Sequence, residues 1–148
     1  MTECAGSLIP MDPGVIYKKG DGSLNQRFQQ AIGMLNYIAV KSRPDISYAV
    51  GKLSRFMACA DETHMAGVHM VARYLSATRT CKLHYVRQED GKGWDHEFNL
   101  VVHTDANFGE VGSEGRNTSG RCGLMDGNTI WWKSQRQTTS VTSTTAAE

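Results

Sequence analysis

Hydrophobic residues recur at two different spacings along this sequence, and that change constrains the fold more than any other feature. Between residues 25 and 77 they recur about every 3.6 residues, which is the period of amphipathic α-helices. Between residues 98 and 135 they occur in short alternating runs, which are typical of β-strands. The sequence therefore predicts an α+β fold in which helices come first and strands follow.

The first predicted helix covers residues 25–40. A second begins at Pro44, because proline is tolerated in the first turn of a helix, and a third covers residues 62–77 with Asp61 as its N-cap. Glycine inside a helix costs about 1 kcal/mol relative to alanine, so we interpret Gly33 as a site of close helix crossing. The side chains expected to be buried on these helices are Phe28, Ala31, Ile32, Leu35, Ile38, Ala39, Ile46, Ala49, Val50, Leu53, Met57, Met65, Val68, Val71, Ala72 and Leu75.

Strand-like alternation occurs at residues 82–88, 98–104, 119–125 and 129–135. Asp126-Gly127-Asn128, between the last two runs, is a strong hairpin-turn signal. The last three runs are therefore predicted to form an antiparallel meander. Residues 1–24 contain two prolines and four glycines, with residues 15–17 as the only apolar cluster, and predict an extended arm with at most one short strand.

Composition narrows the class of protein. Hydrophobic residues make up 40% and charged residues 21% of the chain, as in soluble globular proteins. A formal net charge of +1 gives no overall argument for nucleic acid, so any such argument depends on local placement. The cysteines are too widely spaced to predict a zinc site or a disulfide framework. No apolar run is long enough to span a membrane and no signal peptide is present, so we expect an intracellular chain.

Asp105 is the most distinctive polar residue, because it follows the apolar run at residues 100–102. A carboxylate at the end of a buried strand is costly unless it is paired or binds a ligand. Two interpretations stay open: Asp105 is a functional carboxylate, or it is a turn residue that caps the strand end. Glu148 is likewise either a second functional carboxylate or a solvated residue. His103, on the same strand face as Asp105, is expected to be a buried structural residue.

Several separate segments then match one family. Residues 28–38 are similar to "YRxAIGSLxYL", residues 103–108 to "YSDADWA", residues 116–120 to "RKSTSG", residues 130–139 to "ISWSSKKQTT" and residues 143–148 to "SSTEAE". Residues 43–56 give an almost unbroken match, which is the most specific of all. The chain thus resembles the polyproteins of copia-type LTR retrotransposons, in the segment that joins reverse transcriptase to ribonuclease H.

The resemblance implies a fold and a division of the chain. We expect an extended arm at residues 1–24, a thumb-like three-helix connection from reverse transcriptase at residues 25–88, and a truncated ribonuclease H-like antiparallel three-stranded sheet at residues 97–148. In the intact family the ribonuclease H domain hydrolyses the RNA strand of RNA–DNA hybrids with two Mg²⁺ (or Mn²⁺) ions. Carried over residue by residue, the family's catalytic metal ligands fall on Asp105 and Glu148.

Basic and polar residues of the strand region are candidate contacts for nucleic acid. The candidates are Arg116, Ser119, Lys133 and Arg136, with Arg121, Trp131 and Trp132 as further side chains of the same kind. The alternative is that they are scattered residues on a solvated sheet edge.

The sequence departs from the family in ways that limit its activity. It has no Tyr-x-Asp-Asp polymerase signature, and the family's two later ribonuclease H carboxylates would lie beyond residue 148. We therefore expect weak or absent metal binding and no cleavage by this chain alone. The expected partners are RNA–DNA hybrid or other nucleic acid, the rest of a polyprotein, and a second copy through the uncovered sheet. The alternative is a non-catalytic remnant that acts at most as a nucleic-acid or protein binding module.

Overall fold

A computed structural model describes residues 6–87, 97–107 and 116–138. The chain forms two compact units, Met1–Lys82 and Leu83–Glu148. Within the described ranges, the first unit contains α-helices and the second contains an antiparallel three-stranded sheet. The predicted α+β class and the order of helices before strands are confirmed. None of the helices in these ranges is long and apolar enough to cross a membrane.

The helices lie where the hydrophobic period predicts them. Helix α1 covers Asn25–Lys41, helix α2 covers Ser47–Ser54 and helix α3 covers Glu62–Ala77. A short 3₁₀ turn, Pro44–Ile46, precedes α2. Proline fits the first position of this turn, because a backbone N–H there would have no partner within the helix. Residues 6–24 contain no helix or strand, which agrees with the predicted extended arm; the one short strand that the prediction allowed does not form.

The core of the helical unit is built from the predicted apolar stripes. Phe28, Ile46, Leu53 and Val71 have no exposed surface. The arm contributes to this core as well, since Met11 and Tyr17 are buried. Two predicted core residues are exposed instead, Met57 because α2 ends before it and Ala72 because it lies off the buried face of α3.

The close helix approach occurs at a different glycine from the one predicted. A Cβ added to Gly33 would meet no atom within 4 Å. A Cβ added to Gly67 on α3 would lie 2.9 Å from Leu53 Cδ2 and would also overlap the hydroxyl of Tyr17. The interpretation of Gly33 is therefore wrong, and Gly67 is the position where the backbone needs the space.

Asp61 caps α3, as predicted, and is joined by a residue that was not predicted. Its Oδ1 accepts hydrogen bonds from the backbone N–H groups of Thr63 (2.9 Å) and His64 (3.3 Å). The Nδ1 atom of His64 lies 2.7 Å from the same oxygen. The His64 ring is 1% exposed and packs 4.5 Å from the ring of Phe56. The cap thus fixes a histidine inside the core.

A second polar cluster joins the 3₁₀ turn before α2 to the end of α3. Arg43 donates to Asp45 through Nε (3.0 Å) and Nη2 (2.7 Å), and through Nη1 to the carbonyl oxygen of Thr78 (3.1 Å). The Tyr74 hydroxyl donates to Asp45 Oδ2 at 2.8 Å. Because Arg43 is only 8% exposed, these bonds satisfy a guanidinium that would otherwise be buried without partners.

The sheet consists of β1 (Leu100–Asn107), β2 (Thr118–Met125) and β3 (Asn128–Arg136), in that order and antiparallel. The predicted hairpin turn is confirmed: Asp126 and Gly127 have φ of 50° and 79°, which is the type I′ pattern that matches strand twist. Residues 82–87 form no strand, so that part of the predicted first strand is wrong, and residue 88 lies outside the described residues. The Asn128 side chain instead hydrogen-bonds both backbone groups of Val86, at 2.7 and 2.9 Å.

Candidate nucleic-acid interface

Asp105 lies near the end of β1, directly opposite Gly120 of β2. The strand that carries it is exposed on most of its length, and so is Asp105. The premise that Asp105 ends a buried strand is therefore wrong, and its exposed side chain needs no buried partner. His103 is also exposed, so its predicted burial is wrong as well. An exposed carboxylate at this position is accessible to a ligand.

The described residues do not by themselves form a metal centre. Among them, no group of three or more His, Cys, Asp or Glu side chains could hold a metal ion. Mg²⁺ needs oxygen ligands in near-octahedral geometry, and Asp105 is the only carboxylate on β1, β2 and β3. Glu148 lies outside the described residues, so the predicted pair of Asp105 and Glu148 stays a prediction.

The predicted nucleic-acid contacts divide between the two faces of the sheet. In the antiparallel register Ser119 pairs with Gln135, and Arg121 pairs with Thr104 and Lys133. Cross-strand partners share a face, and neighbours along a strand point to opposite faces. Ser119 and Lys133 therefore lie on one face. Arg136, which pairs with Thr118, lies on the other face together with Asp105. Arg116 precedes β2 and is exposed.

We define the basic face as the side of the sheet that carries Ser119, Arg121 and Lys133. The further members of this face are Val102, Thr104, Ala106 and Trp131. A groove of about 480 Å³ opens there and is lined by Val102, Thr104, Asp105, Ala106, Ser119, Arg121 and Trp131. Asp105 borders the groove from the outer strand β1. The groove is thus surrounded mainly by hydroxyl, cationic and aromatic groups.

Trp131 is held across the sheet by a glycine. Gly123 of β2 is its cross-strand partner, and a Cβ added to Gly123 would overlap the Nε1 and Cε2 atoms of the indole. The indole therefore lies directly over the β2 backbone, where only glycine leaves room. Trp131 nevertheless keeps 39% of its surface exposed. The neighbouring Trp132 pairs with Cys122 and is half-buried on the opposite face.

The Ser119 hydroxyl is positioned by a residue beyond the end of β3. Gln137 Nε2 donates to Ser119 Oγ at 2.8 Å, and the Gln137 backbone N–H donates to the carbonyl oxygen of Asn117 at 2.7 Å. Ser119 can still donate its own proton, because a hydroxyl is both donor and acceptor. Gln137 therefore acts on this face by positioning, a role that no sequence pattern indicated.

Comparison with known proteins finds relatives that match most of this chain. The "Secreted RxLR effector protein 161" of Plasmopara viticola is 35% identical over 125 residues, which cover 84% of this chain and 82% of that protein. The "Putative transposon Ty5-1 protein" of Saccharomyces cerevisiae is 33% identical over 109 residues, which cover 74% of this chain and 33% of that protein. The "Retrovirus-related Pol polyprotein from transposon TNT 1-94" of Nicotiana tabacum is 30% identical over 138 residues, which cover 93% of this chain and 10% of that polyprotein.

The last two of these relatives are, by name, transposon proteins. The chain belongs to the copia-type LTR retrotransposon Pol polyprotein family. It spans a third of the yeast relative and a tenth of the tobacco polyprotein. No family model and no solved structure matches the chain.

Proposed function

We propose that this chain corresponds to the part of a copia-type polyprotein that joins reverse transcriptase to ribonuclease H. In this proposal α1, α2 and α3 are the connection, and β1, β2 and β3 are the first strands of a ribonuclease H-like domain. The observation that carries it is the position of Asp105, near the end of the first strand of an antiparallel meander. The family resemblance assigns a catalytic aspartate to that residue.

In the parent polyprotein, this domain would hydrolyse the RNA strand of an RNA–DNA hybrid. Bound Mg²⁺ or Mn²⁺ supplies charge neutralisation for that reaction. Asp105 and Glu148 would be ligands, and the exposure of Asp105 leaves its carboxylate accessible to a metal ion. The described residues provide a single carboxylate at the strand end, which is too few for tight Mg²⁺ binding. We therefore expect the isolated chain not to cleave hybrids.

This expectation is tested with a labelled RNA–DNA hybrid incubated with the full chain and Mg²⁺ or Mn²⁺. We expect no metal-dependent product from the wild type. Cleavage that Asp105→Asn abolishes would show that the chain holds a complete metal site, and the expectation would be wrong. The matched control is Asp126→Asn in the hairpin turn, which makes the same change of group at the other end of the sheet from Asp105.

A second candidate is a non-catalytic module that binds nucleic acid or a protein. The specific observation in its favour is the Plasmopara viticola relative, because the match covers 82% of that protein. The same segment thus makes up most of a short protein as well as a small part of long polyproteins. Salt-dependent binding of the hybrid without cleavage would favour this candidate, since each phosphate contact releases counterions. The absence of any hybrid binding at low salt would count against it.

A further inference from the structure

Two like charges are placed opposite each other on the basic face. Arg121 and Lys133 are direct cross-strand partners on β2 and β3. Directly opposed side chains in a sheet have Cβ atoms about 4.5–5.5 Å apart, and like charges at that separation are destabilising. Asp105 is the only carboxylate of the described strands, and although it borders the groove along β1, its side chain belongs to the opposite face. The pair is therefore a local concentration of positive charge that an anion would neutralise.

An aromatic ring lies beside this charge. Trp131 is two residues before Lys133 on the same strand and therefore on the same face. Its indole is fixed over Gly123, so little rotamer freedom remains to be lost when a ligand stacks on it. Thr104 and Ser119 add hydroxyl groups on the same face, and the groove of about 480 Å³ is open between them.

We propose that the basic face binds single-stranded nucleic acid, with Arg121 and Lys133 on the phosphates and the Trp131 indole stacked on a base. Grooves of positive charge with exposed aromatic rings are the general means of holding single strands. A duplex fits less well, since its bases are already stacked on both sides and offer no free ring face. This proposal deepens the nucleic-acid binding proposed above and rests on it, but it requires neither a metal nor cleavage.

Two of the three principal residues differ from the family motif quoted above. In the motif "ISWSSKKQTT" serine stands at the positions of Trp131 and Lys133 when it is aligned on Ile130, Trp132 and Gln137. The stacking ring and one of the cations are thus departures from the pattern. They lie on the face opposite to the Asp105 side chain, so binding there is separable from the acidic residue.

The test uses the full chain and a fluorescently labelled oligothymidylate of about 12 nucleotides, within the span that such sites cover. Anisotropy titrations at several salt concentrations give the affinity and its salt dependence. We expect Trp131→Ala to weaken binding about tenfold or more, and Trp131→Phe to retain most of it. We expect Arg121→Gln and Lys133→Gln each to reduce the slope of log K against log salt by about 0.7.

Arg87→Gln is the matched control, because it removes one exposed positive charge of the same unit from outside the three strands. It should leave oligothymidylate binding within about twofold of wild type if the contacts are those proposed. An equal loss for Arg87→Gln and Lys133→Gln would overturn the proposal, since binding would then follow overall charge. If the wild-type chain binds oligothymidylate but does not bind the RNA–DNA hybrid, that result would count against the proposed function and not against the present proposal.

Two other ligands are distinguished in the same assay. A DNA duplex of equal length should bind more weakly than the single strand, and poly-glutamate should compete poorly, because it offers charge without a stacking ring. The proposal would be overturned if the duplex bound as tightly as the single strand, or if poly-glutamate competed as well as unlabelled oligothymidylate. It would also be overturned if oligothymidylate did not bind at low salt. Circular dichroism of each variant separates a folding defect from lost contacts. If Trp131→Ala fails to fold, the Phe variant and the two Gln variants still decide the outcome.

Discussion

Arg121 and Lys133 face each other directly across β2 and β3, so two positive charges share one row of the sheet. Like charges at that position destabilise a sheet by an amount comparable to the 0.2–1 kcal/mol that a favourable pair contributes. The cost is tolerable at an exposed site, because water and salt screen the repulsion. The pairing therefore links the stability of the sheet to the presence of an anion.

Removing either charge should stabilise the free protein. We expect Arg121→Gln and Lys133→Gln each to raise the free energy of unfolding of the sheet unit by about 0.2–1 kcal/mol at low salt. Denaturant unfolding followed by tryptophan fluorescence measures this, because all 3 tryptophans of the chain lie within Leu83–Glu148. The gain should shrink at high salt. Arg136→Gln should give no such gain, and destabilisation by both Gln variants would contradict the repulsion.

The pairing of Arg121 with Lys133 could not be read from the sequence, although the hairpin could. Asp126 and Gly127 indicate the two-residue turn, and simple counting outward from it places Arg121 opposite Trp132. The register shifts between Gly123 and Leu124, and the extra residue on β3 brings Lys133 opposite Arg121 instead. A shift of one residue moves every following side chain to the other face. Bulges of this kind have no reliable sequence signal.

The two helical glycines offer a matched pair of substitutions with opposite results. Gly33→Ala should stabilise the helical unit by about 0.8–1 kcal/mol, because alanine is the better helix former and nothing lies within 4 Å of the added Cβ. Gly67→Ala should destabilise it, because overpacking against Leu53 and Tyr17 costs about 1–3 kcal/mol and outweighs the same gain. Thermal unfolding by circular dichroism at 222 nm compares them. Equal stabilisation by both would show that Gly67 is not closely packed.

The helical period predicted the three helices and most of the core, but it did not distinguish these glycines. The spacing of hydrophobic residues indicates which side of a helix faces the core, but it does not indicate how closely the next helix or segment packs against that side. The contact at Gly67 depends on Tyr17, which comes from an arm with no regular secondary structure. Long-range contacts of such a segment leave no pattern in the sequence.

The Arg43–Asp45 cluster predicts a pH dependence for the helical unit. Although partial desolvation opposes it, the hydrogen bonds from Arg43 and Tyr74 hold the pKa of Asp45 below its usual value. A carboxyl with a lowered pKa in the folded state contributes stability that is complete above its unfolded pKa of about 3.9. That contribution is lost as the pH falls through the lower folded pKa. The helical unit should therefore lose stability progressively below about pH 4.

Asp45→Asn should remove this contribution. We expect it to lower the free energy of unfolding at neutral pH by about 1–2 kcal/mol, a value discounted because the Asp45 side chain is 35% exposed. The stability of the variant should depend less on pH between about 2 and 4. Asp12→Asn is the control. The Asp12 carboxylate accepts a hydrogen bond from the backbone N–H of Gly14, two residues along the chain, and the amide oxygen of asparagine can accept the same bond. An unchanged pH profile in Asp45→Asn would assign acid unfolding to other groups, such as Asp61.

The contact between Gly123 and Trp131 allows a double-mutant test of the basic face itself. Gly123→Ala should destabilise the sheet unit by about 1–3 kcal/mol, because its Cβ needs the space that the indole occupies. In Trp131→Ser that space is free, so adding Gly123→Ala there should cost much less. The two substitutions should therefore show a coupling energy of at least about 0.5 kcal/mol by denaturant unfolding. Additive effects would mean that the indole does not lie over Gly123. The same displacement should weaken oligothymidylate binding in Gly123→Ala, because the indole of Trp131 is no longer held over Gly123.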